Sequence, residues 1–140
     1  MFSAQRSETR SISIDAAPDT VFHLVSDPRQ LPTWAPSFAC SVNPHGTDWL
    51  IDDGLAERII TVRASHKYGT VDVLAATDHR RGAFTRVLPN GDGSEFTFTL
   101  FFPDDAPQDA IAAQMAVVEQ ELQTVRALCE DAKGIGSRGV

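Results

Sequence analysis

The sequence predicts an α+β domain in which an antiparallel sheet covers one long C-terminal helix. Three observations carry this expectation. Ile111, Met115, Val118, Leu122, Val125 and Cys129 recur at alternating spacings of four and three, which lines one face of a helix over residues 106–131. Upstream, short β-type segments follow one another through turns too brief for a parallel crossover. The chain has 140 residues, 42% of them hydrophobic, which suits one domain with a sizeable core. A sheet with one apolar face needs a cover, and the helical stripe supplies it.

In chain order, residues 8–15 read as a first strand, with Ser11 and Ser13 alternating against Ile12 and Ile14. Pro18 can open a short helix whose buried side is Val21, Phe22, Leu24 and Val25. A second helical turn follows through Arg29, Gln30 and Leu31, and Trp34, Pro36 and Phe38 lead out of it. Residues 38–42 and 48–52 are short strands separated by the turn signal Asn43-Pro44-His45-Gly46. Residues 55–65, 70–77 and 82–88 continue the meander. Pro89-Asn90-Gly91-Asp92-Gly93 is a hairpin signal, and Phe96, Phe98 and Leu100 then alternate with Glu95, Thr97 and Thr99 over residues 94–102. Asp105 and Gln108 have capping-box spacing, with Pro107 tolerated in the first turn and Lys133-Gly134 as a stop. Gln114, Glu119, Gln120, Glu121, Gln123, Arg126 and Glu130 are left for the polar faces. The expected unit is one domain over residues 1–140, with a disordered tail from 134 to 140.

Charge and composition exclude several classes. The net charge of −7 and pI near 4.9 argue against nucleic acid or a polybasic membrane dock. No apolar run reaches the ~20 residues of a membrane span, and the N-terminus lacks a signal-peptide core, so a cytoplasmic protein is expected. Cys40 and Cys129 stand far apart and read as reduced thiols. His23, His45, His66 and His79 show no metal-type spacing, and no zinc centre is expected. Gly134-Ile135-Gly136 has no following helix for a dinucleotide, Gly91-Asp92-Gly93-Ser94 lacks the setting of a nucleophile elbow, and no cofactor is expected.

Several phrases resemble a known family. Ser11-Ile12-Ser13-Ile14-Asp15-Ala16-Ala17-Pro18-Asp19-Thr20-Val21-Phe22 is similar to the opening strand and helix of START-like (SRPBCC) helix-grip proteins. Asp27-Pro28 with Leu31-Pro32-Thr33-Trp34 resembles the second short helix, and Leu88-Pro89-Asn90-Gly91-Asp92-Gly93-Ser94-Glu95 the hairpin between the last two strands. The nearest look is to the polyketide cyclase/dehydrase-like branch. The resemblance implies seven strands gripping the C-terminal helix, two short helices after strand 1, and an apolar pocket between sheet and helix. The same scaffold carries ligand binding, lipid transfer, cyclisation and chaperone-partner roles, so it does not fix one function.

Strand parity would aim Ile60, Val62, Ala64, Phe84, Leu88, Phe96, Phe98 and Leu100 inward, against Met115, Val118 and Leu122. With Trp34 and Phe38 these would line a cavity; the alternative is that they only pack on one another. Arg86 shares the parity of Phe84 and Leu88, and a buried guanidinium needs a carboxylate, which Asp72 would supply. Such a pair would anchor a ligand carboxylate, phenolate or enolate; a bulge turning Arg86 to solvent, or a plain structural ion pair, is the alternative. His66, with Tyr68 at a predicted turn, is either a rim acid/base or an ordinary exposed loop histidine. Trp34 and Trp49 are candidate gates of a pocket mouth, or ordinary edge indoles.

Three functions follow. The first is binding of a small apolar or aromatic molecule between sheet and helix. The second is a cyclase or dehydratase in which Arg86, Asp72 and His66 steer proton transfers; it requires Arg86 and Asp72 to converge inside the cavity. The third is a protein-interaction module without a ligand, marked by an apolar patch outside. Either a monomer or a homodimer is compatible with the sequence.

Overall fold

The computed structural model describes residues 4–138, with side chains through residue 132. The order of elements is β1 (Arg6–Ile14), α1 (Pro18–Ser26), a 3-10 turn (Pro28–Gln30), α2 (Leu31–Trp34), β2 (Ser41–His45), β3 (Asp48–Asp52), β4 (Glu57–Ser65), β5 (Thr70–Ala75), β6 (Asp78–Asn90), β7 (Gly93–Phe102) and α3 (Gln108–Arg138). The seven strands form one antiparallel sheet in the order β1-β7-β6-β5-β4-β3-β2. This is the expected fold class.

The local reasons are those of the residue types. Pro18 opens α1, where its missing N–H costs nothing, and the Asp27 carboxylate accepts the Arg29 N–H to start the 3-10 turn. Gly69, at φ 70°, closes the β4–β5 turn, and a Cβ there would strike the Val87 carbonyl. The Gly69 carbonyl instead accepts the Val87 N–H at 2.8 Å.

Several expected boundaries move. Pro44 lies within β2 rather than in a turn, and Phe38 precedes that strand; β2 is a sheet edge, where a residue lacking an N–H is tolerated. β6 starts at Asp78 because the chain reverses tightly after Ala75, with a register shift between Leu74 and Ala75. α3 begins at Gln108, the Pro107 carbonyl taking the Ile111 N–H, and its backbone continues past the expected stop at Lys133-Gly134. The rest of the tail expected to be disordered lies outside the fully described residues.

α3 runs alongside β1 and packs chiefly against it. Three polar rungs fix the register between them. Arg6 Nη1 donates to Gln108 Oε1 at 2.6 Å, Arg10 Nε to Glu119 Oε1 at 3.0 Å, and the Asp15 N–H to Glu130 Oε2 at 2.8 Å. The apolar stripe then buries Ile111, Met115, Val118, Leu122, Val125 and Cys129 in one core with Ile12, Ile14, Phe96 and Phe98 of the sheet. α1 and α2 add Val21, Phe22, Val25, Leu31 and Trp34 to the same core.

Candidate ligand-binding site

The ladder fixes which side chains face α3. One row of the concave face reads Ile12, Phe96, Val87; the next Phe98, Thr85, Val71, Ala64; a third Ala83, Val73, Val62. The convex face carries Thr97, Arg86, Thr70, Ser65 in one row and Thr99, Phe84, Asp72, Arg63 in the next. Of the predicted lining residues, Trp34, Ile60, Phe96, Phe98, Met115, Val118 and Leu122 are buried together in the core. Phe38 and Val62 are half-buried against it.

Phe84, Arg86 and Leu88 correct the expectation. β6 has apolar residues at both parities, and its larger ones occupy the convex face, while Ala83, Thr85 and Val87 point inward. The partner strand decides the matter, because Thr85 and Val87 stand opposite the inward Phe98 and Phe96. Phe84 meets the edge of Phe101 at 5.7 Å on that outer surface. Arg86 is exposed and its Nε reaches only the Tyr68 carbonyl, at 3.3 Å. Asp72 pairs with Arg63 at 3.2 Å, not with Arg86. The inward pair expected for proton transfer does not exist, and its two members lie on the convex face.

His66 sits at the β4–β5 turn, as expected, but is tied to α1. Its Nε2–H meets Asp19 Oδ1 at 2.9 Å, and its ring lies 5.1 Å from Phe22. His23 Nδ1–H donates to the Asp19 carbonyl at 2.6 Å, so two histidines and one aspartate gather at the start of α1. Among the described residues no group of three or more His, Cys, Asp or Glu side chains is arranged to hold a metal ion.

Part of the apolar surface around the core stays half-buried. Val42, Trp49, Val62, Ala83, Leu100 and Phe102 remain half-buried, as an apolar margin continuous with the core. Arg29 lies over the Trp49 ring at 4.9 Å and Arg58 over Phe38 at 5.3 Å, two cations resting on that margin.

Besides Thr85 and Ser94, whose hydroxyls donate to the Val71 and Ala16 carbonyls, two polar side chains are largely buried. Trp34 is 3% exposed, packs edge-on against Phe96 at 6.4 Å, and its Nε1–H has no acceptor among the described residues. Glu121 is 7% exposed, but among the described residues it is Trp34 Nε1, and not the Glu121 carboxylate, that is a fully buried polar atom without a partner. Burial alone pushes its carboxyl from 4.5 up to about 7. The sequence reading left Glu121 on a polar face. The signal that places it inside is its spacing, three residues after Val118 and four before Val125, at the edge of the stripe.

Two open clefts stand elsewhere. One, of about 500 Å³, is lined by residues that include Ser13, Asp15, Asn90, Asp92, Arg126 and Glu130, at the β6–β7 hairpin. The other, of about 580 Å³, lies on α3 between Gln120 and Asp131. Neither is lined by a residue expected to form the cavity.

A family model described as polyketide cyclase / dehydrase and lipid transport matches residues 5–130. The chain belongs to this family. The polyketide cyclase / dehydrase family assignment agrees with the likeness to START-like helix-grip proteins read from the sequence. Three solved structures show the same fold. XoxI from Bacillus cereus is 16% identical, with a TM-score of 0.72 over 91% of this chain and 97% of that one. A START superfamily protein from Mycobacterium smegmatis is 12% identical, at 0.70 over 90% and 98%. The Aha1 dimer from Colwellia psychrerythraea is 13% identical, at 0.70 over 89% and 96%. No curated protein matches the chain. No described helix of this family member is long and apolar enough to cross a membrane.

Proposed function

We propose that the chain binds a small, predominantly apolar or aromatic molecule between the concave face of the sheet and α3. The observation that carries this reading is the half-buried margin of Trp49, Val62 and Ala83, which packs against the core on strands that α3 scarcely touches. Desolvating such surface by a ligand is worth ~25 cal/mol per Å² before the costs of association. The cyclase or dehydratase alternative loses the convergent pair it required, since Arg86 is exposed and Asp72 is bound to Arg63, leaving only His66 of its three residues. The docking alternative rests on the Phe84–Phe101 pair outside, with Phe101 46% exposed.

A fluorescence titration with N-phenyl-1-naphthylamine, a neutral apolar probe, tests the reading. Ala83→Trp is expected to fill the margin and weaken the probe at least ~10-fold. Arg86→Ala, Asp72→Asn and Phe101→Ser, all on the convex face, are expected to leave its affinity unchanged. Saturable binding lost in Phe101→Ser but retained in Ala83→Trp would move the site to the outer surface.

A further inference from the structure

The apolar margin ends among cations. Ile60 shares the strand parity of Val62 and is buried in the core. In the β3–β4 ladder Trp49 stands opposite Ile60 and Ile51 opposite Arg58, so Trp49 and Arg58 are diagonal neighbours on the concave face. The 3-10 turn, which packs on β2, brings Arg29 to the same end. Its guanidinium carbon lies 4.9 Å from the centre of the Trp49 ring, and that of Arg58 lies 5.3 Å from the centre of Phe38. Both rings pack against the core. Among the described residues no carboxylate pairs with the Arg29 guanidinium, and Asp27 accepts the Arg29 backbone N–H instead. Arg58 reaches Asp53 Oδ2 only at 3.6 Å, while Asp53 Oδ1 accepts the Leu55 and Ala56 N–H groups. Both cations keep N–H donors for an incoming anion. A guanidinium, planar and weakly hydrated, suits an oxyanion beside apolar surface.

We propose that Arg29 and Arg58 form an anion anchor at the β2–β4 end of the concave face, and that the preferred guest is an apolar molecule bearing one oxyanion, a carboxylate or sulfonate. The apolar body lies along Trp49, Val62 and Ala83. The oxyanion accepts from the Arg29 guanidinium, and Arg58 adds attraction from the neighbouring strand. Trp49 serves both halves, since its ring packs against the core and carries the cation. A guest of the same body without the charge forgoes the anchor, and a cationic one is repelled. This rests on the ligand-binding reading above and adds the charge of the guest.

The test sets 8-anilino-1-naphthalenesulfonate beside N-phenyl-1-naphthylamine, the same aromatic body with and without a sulfonate, in fluorescence titrations of the intact protein. The expected result is at least ~10-fold tighter binding of the sulfonate at low salt, an advantage that shrinks at high salt as the charges are screened. Arg29→Gln is expected to weaken the sulfonate ~10-fold and Arg58→Gln several-fold, with the neutral probe held as before. Ala83→Trp should weaken both probes. Equal affinity for the two, or a sulfonate preference that survives replacement of both arginines by Gln, would overturn the anchor. If the neutral probe still binds in an Ala83-dependent way, only the anchor falls. Sulfonate binding that depends on Arg29 but is unmoved by Ala83→Trp would put the anion outside the cavity and also overturn the assignment. If neither probe binds, the ligand reading falls with it.

Discussion

Glu121→Leu is expected to make the free protein more stable, and the gain should grow with pH. The carboxyl is raised from 4.5 to about 7 because burial penalises its charged form. Below pH 4.5 both folded and unfolded chains carry the proton, and the acid imposes little charge cost. Between pH 4.5 and about 7 the unfolded chain releases its proton first, so the folded state binds more protons and stability falls as pH rises. Above about 7 the full penalty applies, on the order of 3 kcal/mol at ~1.4 kcal/mol per pH unit. Leucine removes the charge at similar size. Urea unfolding should therefore separate the two proteins widely at pH 8 and narrowly near pH 5. A leucine variant that is less stable at pH 8, or a gap independent of pH, would mean that the acid is satisfied in the folded state.

Phe96→Ala should be the most damaging single truncation in the sheet. The ring is fully buried, lies between Ile12 and Val87 in the ladder, and supports Trp34 edge-on. Loss of its transfer energy plus the cavity left behind costs ~3–5 kcal/mol. Domains of this kind have only ~5–15 kcal/mol in total. Phe101→Ala, on the same strand but 46% exposed, should cost far less. Chemical denaturation of both variants gives the comparison. A loss under ~1 kcal/mol for Phe96→Ala would show that the interior collapses around the gap.

The helix, β7 and the element order were legible because each rests on an unmixed pattern. The stripe from Ile111 to Cys129 has one helical phase, and Phe96, Phe98 and Leu100 have one strand parity. β6 offered two readings, and side-chain size favoured the wrong one: Phe84 and Leu88 are larger than Ala83 and Val87 but face outward. Only pairing with β7 resolves that choice, and pairing is a long-range fact. Arg86 and Asp72 went wrong for the same reason, since Asp72 stands opposite Arg63 and Phe84 rather than Arg86. Trp34 was legible as an interior candidate, but its unpaired N–H was not. Glu121 was missed because an acid beside an apolar stripe ordinarily reaches water. Its burial depends on α3 having neighbours on that flank as well as along β1.

The polar rungs from Arg6, Arg10 and Asp15 all lie along one margin of α3. Elsewhere α3 is held by packing on α1, α2 and β7. Directional hydrogen bonds therefore pin its register on one side, while non-directional apolar contacts hold the others, so a shift of the helix would break the β1 rungs last.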